Sequence, residues 1–216
     1  MKAVIFDLDG TLLDTIDDIA DSMNAVLAKH SLPQHSVEKY KLFVGDGAAL
    51  LVIRSASGAG LTEHTLSQLV TEYKEEYLTR QADKTMPYAG IPELLSALAE
   101  RDIKMAVLSN KSQAATNEVM AHFFPNIHFS ALIGQREGYP IKPDPTGALE
   151  ILKMLGLPRE EVLYVGDTDT DMQTAVAAGI KAVGALWGFR EKKELAENGA
   201  AVFTAQPLDI LELIIE

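Results

Sequence analysis

Short, wholly apolar runs that alternate with amphipathic stretches are the feature that most constrains how this chain can fold. The runs cover residues 3–6, 105–108, 162–165 and 182–186, with weaker ones at 131–133 and 201–203. Runs apolar at every position are typical of strands buried on both faces, as in parallel sheets. Between them, apolar residues recur at helical spacing and stop at Gly or Pro. This alternation predicts an α/β protein with a doubly wound, mainly parallel sheet.

A long stretch without strand patterns interrupts this alternation. From about Thr15 to Asp83, apolar residues such as Ile16, Ile19 and Met23 fall at helical spacing. We therefore predict a small all-helical cap over residues 15–83, inserted after the first strand of a Rossmann-like core formed by residues 1–14 and 84–216. An insertion at this point is expected above the carboxyl edge of the sheet, where open α/β sheets bind their ligands.

Composition excludes several classes of protein. The chain has no Cys, which rules out a disulfide framework, a thiolate zinc site and a thiol nucleophile. Its 19 Lys and Arg against 31 Asp and Glu give a net charge of −12, which argues against nucleic-acid binding. No apolar run approaches the roughly 18 residues of a membrane span. The apolar run after Met1 and Lys2 is too short for a signal peptide. We expect a cytoplasmic protein without a membrane partner, and either a monomer or a dimer.

Acidic and polar side chains follow three of the predicted strands. Asp7 and Asp9 come after the first run, Ser109 after the run at 105–108, and Asp167 after the run at 162–165. The carboxyl ends of parallel strands share one edge, so we expect these side chains to converge. Clustered carboxylates raise one another's pKa, and the usual resolution is either a hard cation or a proton held on one carboxyl. Of the cations, Mg²⁺ suits carboxylate and backbone carbonyl oxygens, so a magnesium site is expected at this edge.

A cation beside a carboxylate, with hydroxyl and lysine donors nearby, is suited to phosphoryl transfer. Asp7 can attack phosphorus and form an aspartyl-phosphate, and Asp9 can protonate the leaving oxygen and then deprotonate water. Gly10 lets backbone N–H groups approach a phosphate closely. Ser109 can donate to a phosphate oxygen, and Lys142 is a candidate cationic clamp. Taken singly, a serine such as Ser109 is usually a helix cap and a lysine such as Lys142 is usually a solvated turn residue.

In this order, these residues resemble the four motifs of the haloacid dehalogenase-like phosphatases. The matching segments are Asp7-Leu8-Asp9-Gly10-Thr11-Leu12, Leu108-Ser109-Asn110, Lys142-Pro143, and Gly166-Asp167 with Asp171. The resemblance implies that Asp7 is the nucleophile and Asp9 the general acid and base. It also implies that Mg²⁺ is held by the Asp7 carboxylate, the Asp9 backbone carbonyl and Asp167, with the Asp171 carboxylate nearby. Within these motifs, Thr11 and Asn110 are expected to lie at the phosphate or the substrate.

Within that superfamily the chain looks most like the phosphoglycolate phosphatases. The supporting segments are Val44-Gly45-Asp46-Gly47-Ala48, Ser109-Asn110-Lys111, and Gly134-Gln135-Arg136-Glu137. The resemblance implies an Mg²⁺-dependent phosphatase acting on a small phosphorylated metabolite, with phosphoglycolate as the first choice. Pyrophosphatases, sugar-phosphate phosphatases and β-phosphoglucomutase-like phosphomutases share the same core motifs and stay open as alternatives. A non-enzymatic alternative is a phospho-Asp signalling receiver, although receivers lack such a cap.

Three residues of the predicted cap are candidates for contact with the substrate. Gly45 and Gly47 could form a flexible loop that closes over the site, or a plain turn between helices. Arg54 could bind a substrate carboxylate through two hydrogen bonds, as phosphoglycolate would require, or could be a solvated helix residue.

Overall fold

The computed structural model describes residues 1–215 and divides into two compact units. The α/β unit contains Met1–Asp14 and the chain from Pro87 onward, and the helical unit contains Thr15–Met86.

Eight strands and ten α-helices make up the described chain. The strands are β1 (Ala3–Phe6), β2 (Leu13–Asp14), β3 (Met86–Pro87), β4 (Lys104–Ser112), β5 (Ala131–Gln135), β6 (Val162–Gly166), β7 (Lys181–Ala185) and β8 (Val202–Thr204). The helices are α1 (Ile16–Lys29), α2 (Val37–Phe43), α3 (Gly47–Ser55), α4 (Glu63–Arg80), α5 (Ile91–Glu100), α6 (Gln113–Phe123), α7 (Thr146–Leu155), α8 (Asp169–Ala178), α9 (Lys192–Glu197) and α10 (Ile210–Ile215). Over residues 1–215, none of these helices is both long and apolar enough to cross a membrane.

The central sheet has six parallel strands in the order β5-β4-β1-β6-β7-β8. From β1 the chain first builds outward through β4 and β5, and then returns to build outward on the other side from β6. The prediction of a doubly wound α/β sheet is therefore confirmed. The carboxyl ends of β4, β1 and β6 lie side by side where the winding direction reverses, which is the usual ligand-binding position in such sheets.

Burial of β1 on both faces explains why residues 3–6 are apolar without alternation. Successive side chains of a strand point to opposite faces. Val4 and Phe6 pack in a core cluster with α5, α6 and α10, whereas Ala3 and Ile5 pack in a second cluster with α7, α8 and α9. All four residues are fully buried. This double-sided core fixes the position of the loop that follows β1.

The strand β4 is longer than the apolar run that predicted it. Ser109, Asn110 and Lys111 lie inside the strand instead of after it, and the pairing with β5 becomes irregular between Leu108 and Ser112. The polar end of the strand is buried or half-buried because its side chains bond to other parts of the α/β unit. Apolar patterning could not have predicted this extension.

The helical unit contains the helices α1 to α4. Three of them were indicated by their apolar spacing, but α2 has Tyr40 as its one buried residue and offers no such pattern. The buried carboxylate of Asp18 in α1 accepts hydrogen bonds from the backbone N–H groups of Lys84 and Thr85 and from the Thr85 hydroxyl. These bonds fix the end of the unit's last segment against its first helix.

The chain passes between the units twice, through β2 and β3, which pair as a two-stranded ribbon. Within the α/β unit, the backbone N–H of Tyr88 donates to the carbonyl oxygen of Leu12 at 3.2 Å. The two points at which the insertion leaves and rejoins this unit are therefore adjacent.

Candidate active site

Asp7 stands immediately after β1 and is bonded to the ammonium group of Lys142. The distance from Lys142 Nζ to Asp7 Oδ1 is 2.5 Å, and the same ammonium lies 2.7 Å from Asp171 Oδ1. All three side chains are buried. The strand end, the loop before α7 and the first turn of α8 supply one residue each. The structure thus brings together three predicted site residues that are remote in sequence.

Asn110 holds Lys142 in place through its backbone. The Asn110 side-chain amide donates to the Lys142 carbonyl oxygen at 3.0 Å, and the Lys142 N–H donates to Asn110 Oδ1 at 2.9 Å. Both residues are buried, so water competes little for these bonds. We expected Asn110 at the phosphate or substrate, and the structure shows that its amide bonds to the lysine loop.

Asp167 follows β6 and is fully buried, with a donor on each carboxylate oxygen. The Thr11 hydroxyl donates to Oδ1 at 2.9 Å, and the Phe189 N–H donates to Oδ2 at 2.8 Å. The Trp187 indole N–H in turn donates to the Thr11 carbonyl oxygen at 2.9 Å. Gly10 has a φ of +94°, and a Cβ there would overlap the Asp167 carboxylate. The loops after β1, β6 and β7 are therefore packed around one carboxylate.

Asp171 is fixed by the start of α8. Its Oδ2 accepts a hydrogen bond from the Thr168 backbone N–H at 3.1 Å, and the Asp171 N–H donates to the Thr168 hydroxyl oxygen, which together form a capping box. The Thr168 hydroxyl also donates to Asp171 Oδ2 at 2.7 Å. The Asp171 Oδ1 accepts a hydrogen bond from the Tyr164 hydroxyl at 3.3 Å and another from the Lys142 ammonium. The helix start thus holds the Asp171 carboxylate as a counterion beside the lysine.

Asp9 is paired with a second lysine. Lys111 Nζ lies 2.6 Å from Asp9 Oδ1, and the two side chains are 6% and 20% exposed. The backbone N–H of Lys111 donates to the hydroxyl oxygen of Ser109 at 3.1 Å. Ser109, which we predicted to bind phosphate, is buried at the carboxyl end of β4.

Burial and mutual repulsion shift the pKa values of the acidic cluster upward. Burial, and then the charge of Asp171, raises the pKa of Asp7 well above its usual range, although Lys142 opposes this. The same two causes raise the pKa of Asp167 to about 7. For Lys142, burial alone lowers the pKa, but Asp171 and Asp7 more than compensate, so its pKa is raised. Full ionisation of the cluster is therefore unfavourable, even with Lys142 in contact with two of its carboxylates.

This cluster has the donor set of a site for a hard divalent cation. Asp7, Asp167 and Asp171 are all buried, and each offers a carboxylate oxygen, with the three oxygens within 4.8 Å of one another. Carboxylate oxygens are the ligands that Mg²⁺, Ca²⁺ and Mn²⁺ prefer. Burial and, after it, repulsion from Asp171 disfavour the ionised forms of Asp7 and Asp167, and a bound cation would favour those ionised forms.

The three candidate residues of the insertion belong to the helical unit. Gly45 and Gly47 adopt φ angles of +114° and +82°, which favour glycine, and Gly47 begins α3. The Arg54 guanidinium donates to the Phe43 carbonyl oxygen at 2.8 Å and to Asp46 Oδ2 at 2.6 Å. Arg54 is therefore paired within its own unit, and a role for these residues in substrate binding stays a prediction.

Three residues near the site were not among the sequence-predicted site residues. Tyr164 lies within the apolar run at 162–165 and was interpreted as strand core. Trp187 directly follows the apolar run at 182–186, which is a signal of the same kind as the place of Asp167 after its strand, and its indole bonds to Thr11. Lys111 directly follows the Leu108-Ser109-Asn110 segment, and its contact with Asp9 places it beside the other site residues.

Comparison with known proteins gives consistent matches over nearly the whole chain. The phosphoglycolate phosphatase of Aquifex aeolicus is 32% identical, with 88% of this chain and 86% of the relative covered. That of Mannheimia succiniciproducens is 30% identical, with 99% and 98% covered. A crystal structure described as a predicted phosphoglycolate phosphatase from Haemophilus somnus 129PT superposes with a TM-score of 0.91 at 28% identity, covering 99% of this chain and 97% of that one.

The family model for haloacid dehalogenase-like hydrolases matches residues 4–185. This span contains the segments that carried the resemblance, from Asp7 to Asp171. The chain belongs to the haloacid dehalogenase-like hydrolase family.

Proposed function

We propose that this protein is an Mg²⁺-dependent phosphatase that hydrolyses a small phosphate monoester through an aspartyl-phosphate on Asp7, with phosphoglycolate as the substrate. The observation that carries the proposal is the position of Asp7. It directly follows β1 beside the Lys142 ammonium, and one of its carboxylate oxygens lies within 4.8 Å of carboxylate oxygens of the buried Asp167 and Asp171.

In the first step, a carboxylate oxygen of Asp7 attacks phosphorus and the bond from phosphorus to the ester oxygen breaks. Asp9, two residues further along, gives its proton to the departing oxygen, which leaves as an alcohol. The Lys142 ammonium stabilises negative charge next to the attacking carboxylate, and Asn110 and Asp171 keep that ammonium in position. The Ser109 hydroxyl donates a hydrogen bond to a phosphoryl oxygen.

In the second step, the ionised Asp9 removes a proton from water, and the water oxygen attacks phosphorus. The bond from phosphorus to the Asp7 oxygen breaks, which releases inorganic phosphate and restores both carboxyl groups. Lys111, whose Nζ lies 2.6 Å from Asp9 Oδ1, positions the Asp9 side chain for both proton transfers. Asp9 thus acts first as an acid and then as a base.

The residues proposed to hold Mg²⁺ are Asp7 and Asp167 through their carboxylates and Asp9 through its backbone carbonyl. When bound, the cation would neutralise charge on the phosphoryl oxygens. Thr11 and Phe189 orient the Asp167 carboxylate for this purpose, because they bond its two oxygens. We also propose that the helical insertion over residues 15–83 acts as the cap that excludes bulk water from the reaction.

The relatives support phosphoglycolate as the substrate, since those from Aquifex aeolicus and Mannheimia succiniciproducens carry the name phosphoglycolate phosphatase. The test is release of inorganic phosphate from phosphoglycolate by the purified chain with Mg²⁺, beside the same reaction with EDTA. Pyrophosphate, glucose 6-phosphate and β-glucose 1-phosphate complete the panel. The Asp7→Asn variant serves as the matched control, because it keeps the size of the side chain.

Each alternative function has its own signature in this experiment. A higher kcat/KM for pyrophosphate or a sugar phosphate would reassign the substrate. Conversion of β-glucose 1-phosphate into glucose 6-phosphate would indicate a phosphomutase. Failure to turn over any ester, together with stable labelling by acetyl phosphate, would indicate a signalling receiver and overturn the proposal.

A further inference from the structure

Lys111 is a buried cation next to the proposed proton donor, and the reaction as written gives it no contact with the substrate. We propose that Lys111 is a specificity-determining residue whose ammonium group binds a carboxylate carried by the leaving group. This inference rests on the proposed function and deepens it, because it states which feature of the leaving group the α/β unit recognises.

The backbone of Lys111 is fixed on both sides. Its N–H donates to the Ser109 hydroxyl oxygen at 3.1 Å, and its carbonyl oxygen accepts from the Thr116 hydroxyl at 3.4 Å. A Cβ on Gly134 of the neighbouring strand would come within 2.8 Å of that same carbonyl oxygen, so β5 packs closely against it. With the side chain 6% exposed, the ammonium is held in place before a ligand arrives.

The contact with Asp9 places this ammonium on the leaving-group side of the reaction. Asp9 must touch the ester oxygen in order to protonate it, and Lys111 Nζ lies 2.6 Å from Asp9 Oδ1. When Lys111 Nζ and the ester oxygen both contact the same Asp9 oxygen, they lie at most two hydrogen-bond lengths apart, or roughly 5–6 Å. In phosphoglycolate the carboxylate carbon is two bonds from that oxygen and reaches this region. An ammonium carries three N–H donors, so Asp9 and a ligand carboxylate can share it.

Two other cations considered for the site are engaged elsewhere. Lys142 bonds to Asp7 and Asp171, on the side of the attacking carboxylate. Arg54 bonds to Asp46 and to the Phe43 carbonyl oxygen within the helical unit. Of these three side chains, Lys111 is the one in contact with Asp9.

The experiment compares two substrates that differ in charge but little in size, phosphoglycolate and 2-hydroxyethyl phosphate. The quantity measured is the ratio of their kcat/KM values with Mg²⁺ present. Lys111→Met removes the charge and keeps the length of the side chain, and Lys111→Arg keeps the charge. Lys153→Met, at an exposed lysine of α7, controls for the loss of one positive charge from the molecule.

The wild type is expected to prefer phosphoglycolate, and Lys111→Met to lower that preference by about 10- to 100-fold, the range for a hydrogen bond to a charged group. Lys111→Arg should restore part of the preference, and Lys153→Met should leave it unchanged. Equal losses on both substrates in Lys111→Met would show that the residue only supports Asp9, and would overturn the inference. A wild type that hydrolyses both esters with equal kcat/KM values would overturn it as well.

A binding measurement separates this inference from the proposed function. Calorimetry with the Asp7→Asn variant needs no turnover and compares the affinities for the same two phosphate esters. Tighter binding of phosphoglycolate that is lost on adding Lys111→Met supports the inference even if the wild type hydrolyses neither ester, whereas equal affinities would refute it.

Discussion

The raised pKa of Asp167 predicts that the metal-free protein loses stability as the pH rises from 5 to 8. Burial and the neighbouring Asp171 move this pKa from its ordinary value of 3.8 to about 7. Between these two values the folded protein retains a proton that the unfolded chain has released. Since the folded state binds more protons, its free energy of unfolding falls as the pH rises through this interval.

The size of the effect follows from the two pKa values. Each unit of difference between the two pKa values corresponds to about 1.4 kcal/mol, so the full shift changes the free energy of unfolding by about 4 kcal/mol. The unfolded carboxyl is already largely ionised at pH 5. About 3 kcal/mol of the loss should therefore fall between pH 5 and pH 8. This is a large fraction of the stability of an ordinary domain.

The contribution of Asp167 to the free energy of unfolding can be measured by urea unfolding in EDTA. The measurement is made at several pH values for the wild type and for Asp167→Asn. Asparagine has nearly the same shape, does not titrate, and can still accept the hydrogen bond from the Phe189 N–H. The difference between the two curves reports the contribution of the Asp167 carboxyl together with its effect on the pKa of neighbouring Asp7. Addition of Mg²⁺ should offset the loss above pH 7, because the cation binds the ionised carboxylate. Parallel curves for the two proteins would refute the reasoning.

Three further predictions concern the nucleophile, the lysine loop and the helical unit. Asp7→Asn should lower kcat on phosphoglycolate by about 10³-fold or more with an unchanged circular dichroism spectrum, because it removes the attacking carboxylate. Asn110→Ala should lower kcat/KM by about 10-fold in the wild type but not in Lys142→Met, since the side chain acts by placing that lysine. Asp18→Asn should lower the free energy of unfolding by about 1–3 kcal/mol in urea, because a buried acceptor of backbone N–H bonds is weakened.

Different results would contradict each of these. Near-normal turnover in Asp7→Asn would refute the nucleophile assignment. If Asn110→Ala lowers kcat/KM equally in the wild type and in Lys142→Met, the Asn110 side chain would instead contact the substrate directly. An unfolding curve of Asp18→Asn that coincides with the wild type would show that the carboxylate bonds add nothing to stability.

The fold was predictable because the strands of the sheet centre are apolar at every position. The segments that became β1 and β6 coincide with runs of hydrophobic residues, and helices cover both of their faces. By contrast, α2 contributes one buried residue, and the ribbon strands have two residues each, too few for any periodicity to appear. The polar half of β4 was missed because side-chain hydrogen bonds, which leave no hydropathy pattern, bury it.

The candidate site was predictable to the extent that its members follow strands. Asp7 and Asp167 could be placed together because parallel strands end at one edge of a sheet. The hydrogen bonds that orient these two carboxylates could not be predicted. The bond from Trp187 to Thr11 joins residues 176 positions apart, and that from Asn110 to Lys142 joins residues 32 apart. Such pairs depend on loop conformations that local sequence does not determine.

The hydrogen bond from Tyr88 to Leu12 has a consequence for how this architecture can change. Because it brings the two ends of the helical segment side by side, an insert of another length or topology could occupy the same place without altering any strand of the sheet. Evolution could therefore exchange the helical unit while the central sheet of the other unit keeps its strands, and a protein engineer could graft a foreign segment at the junction between Asp14 and Pro87.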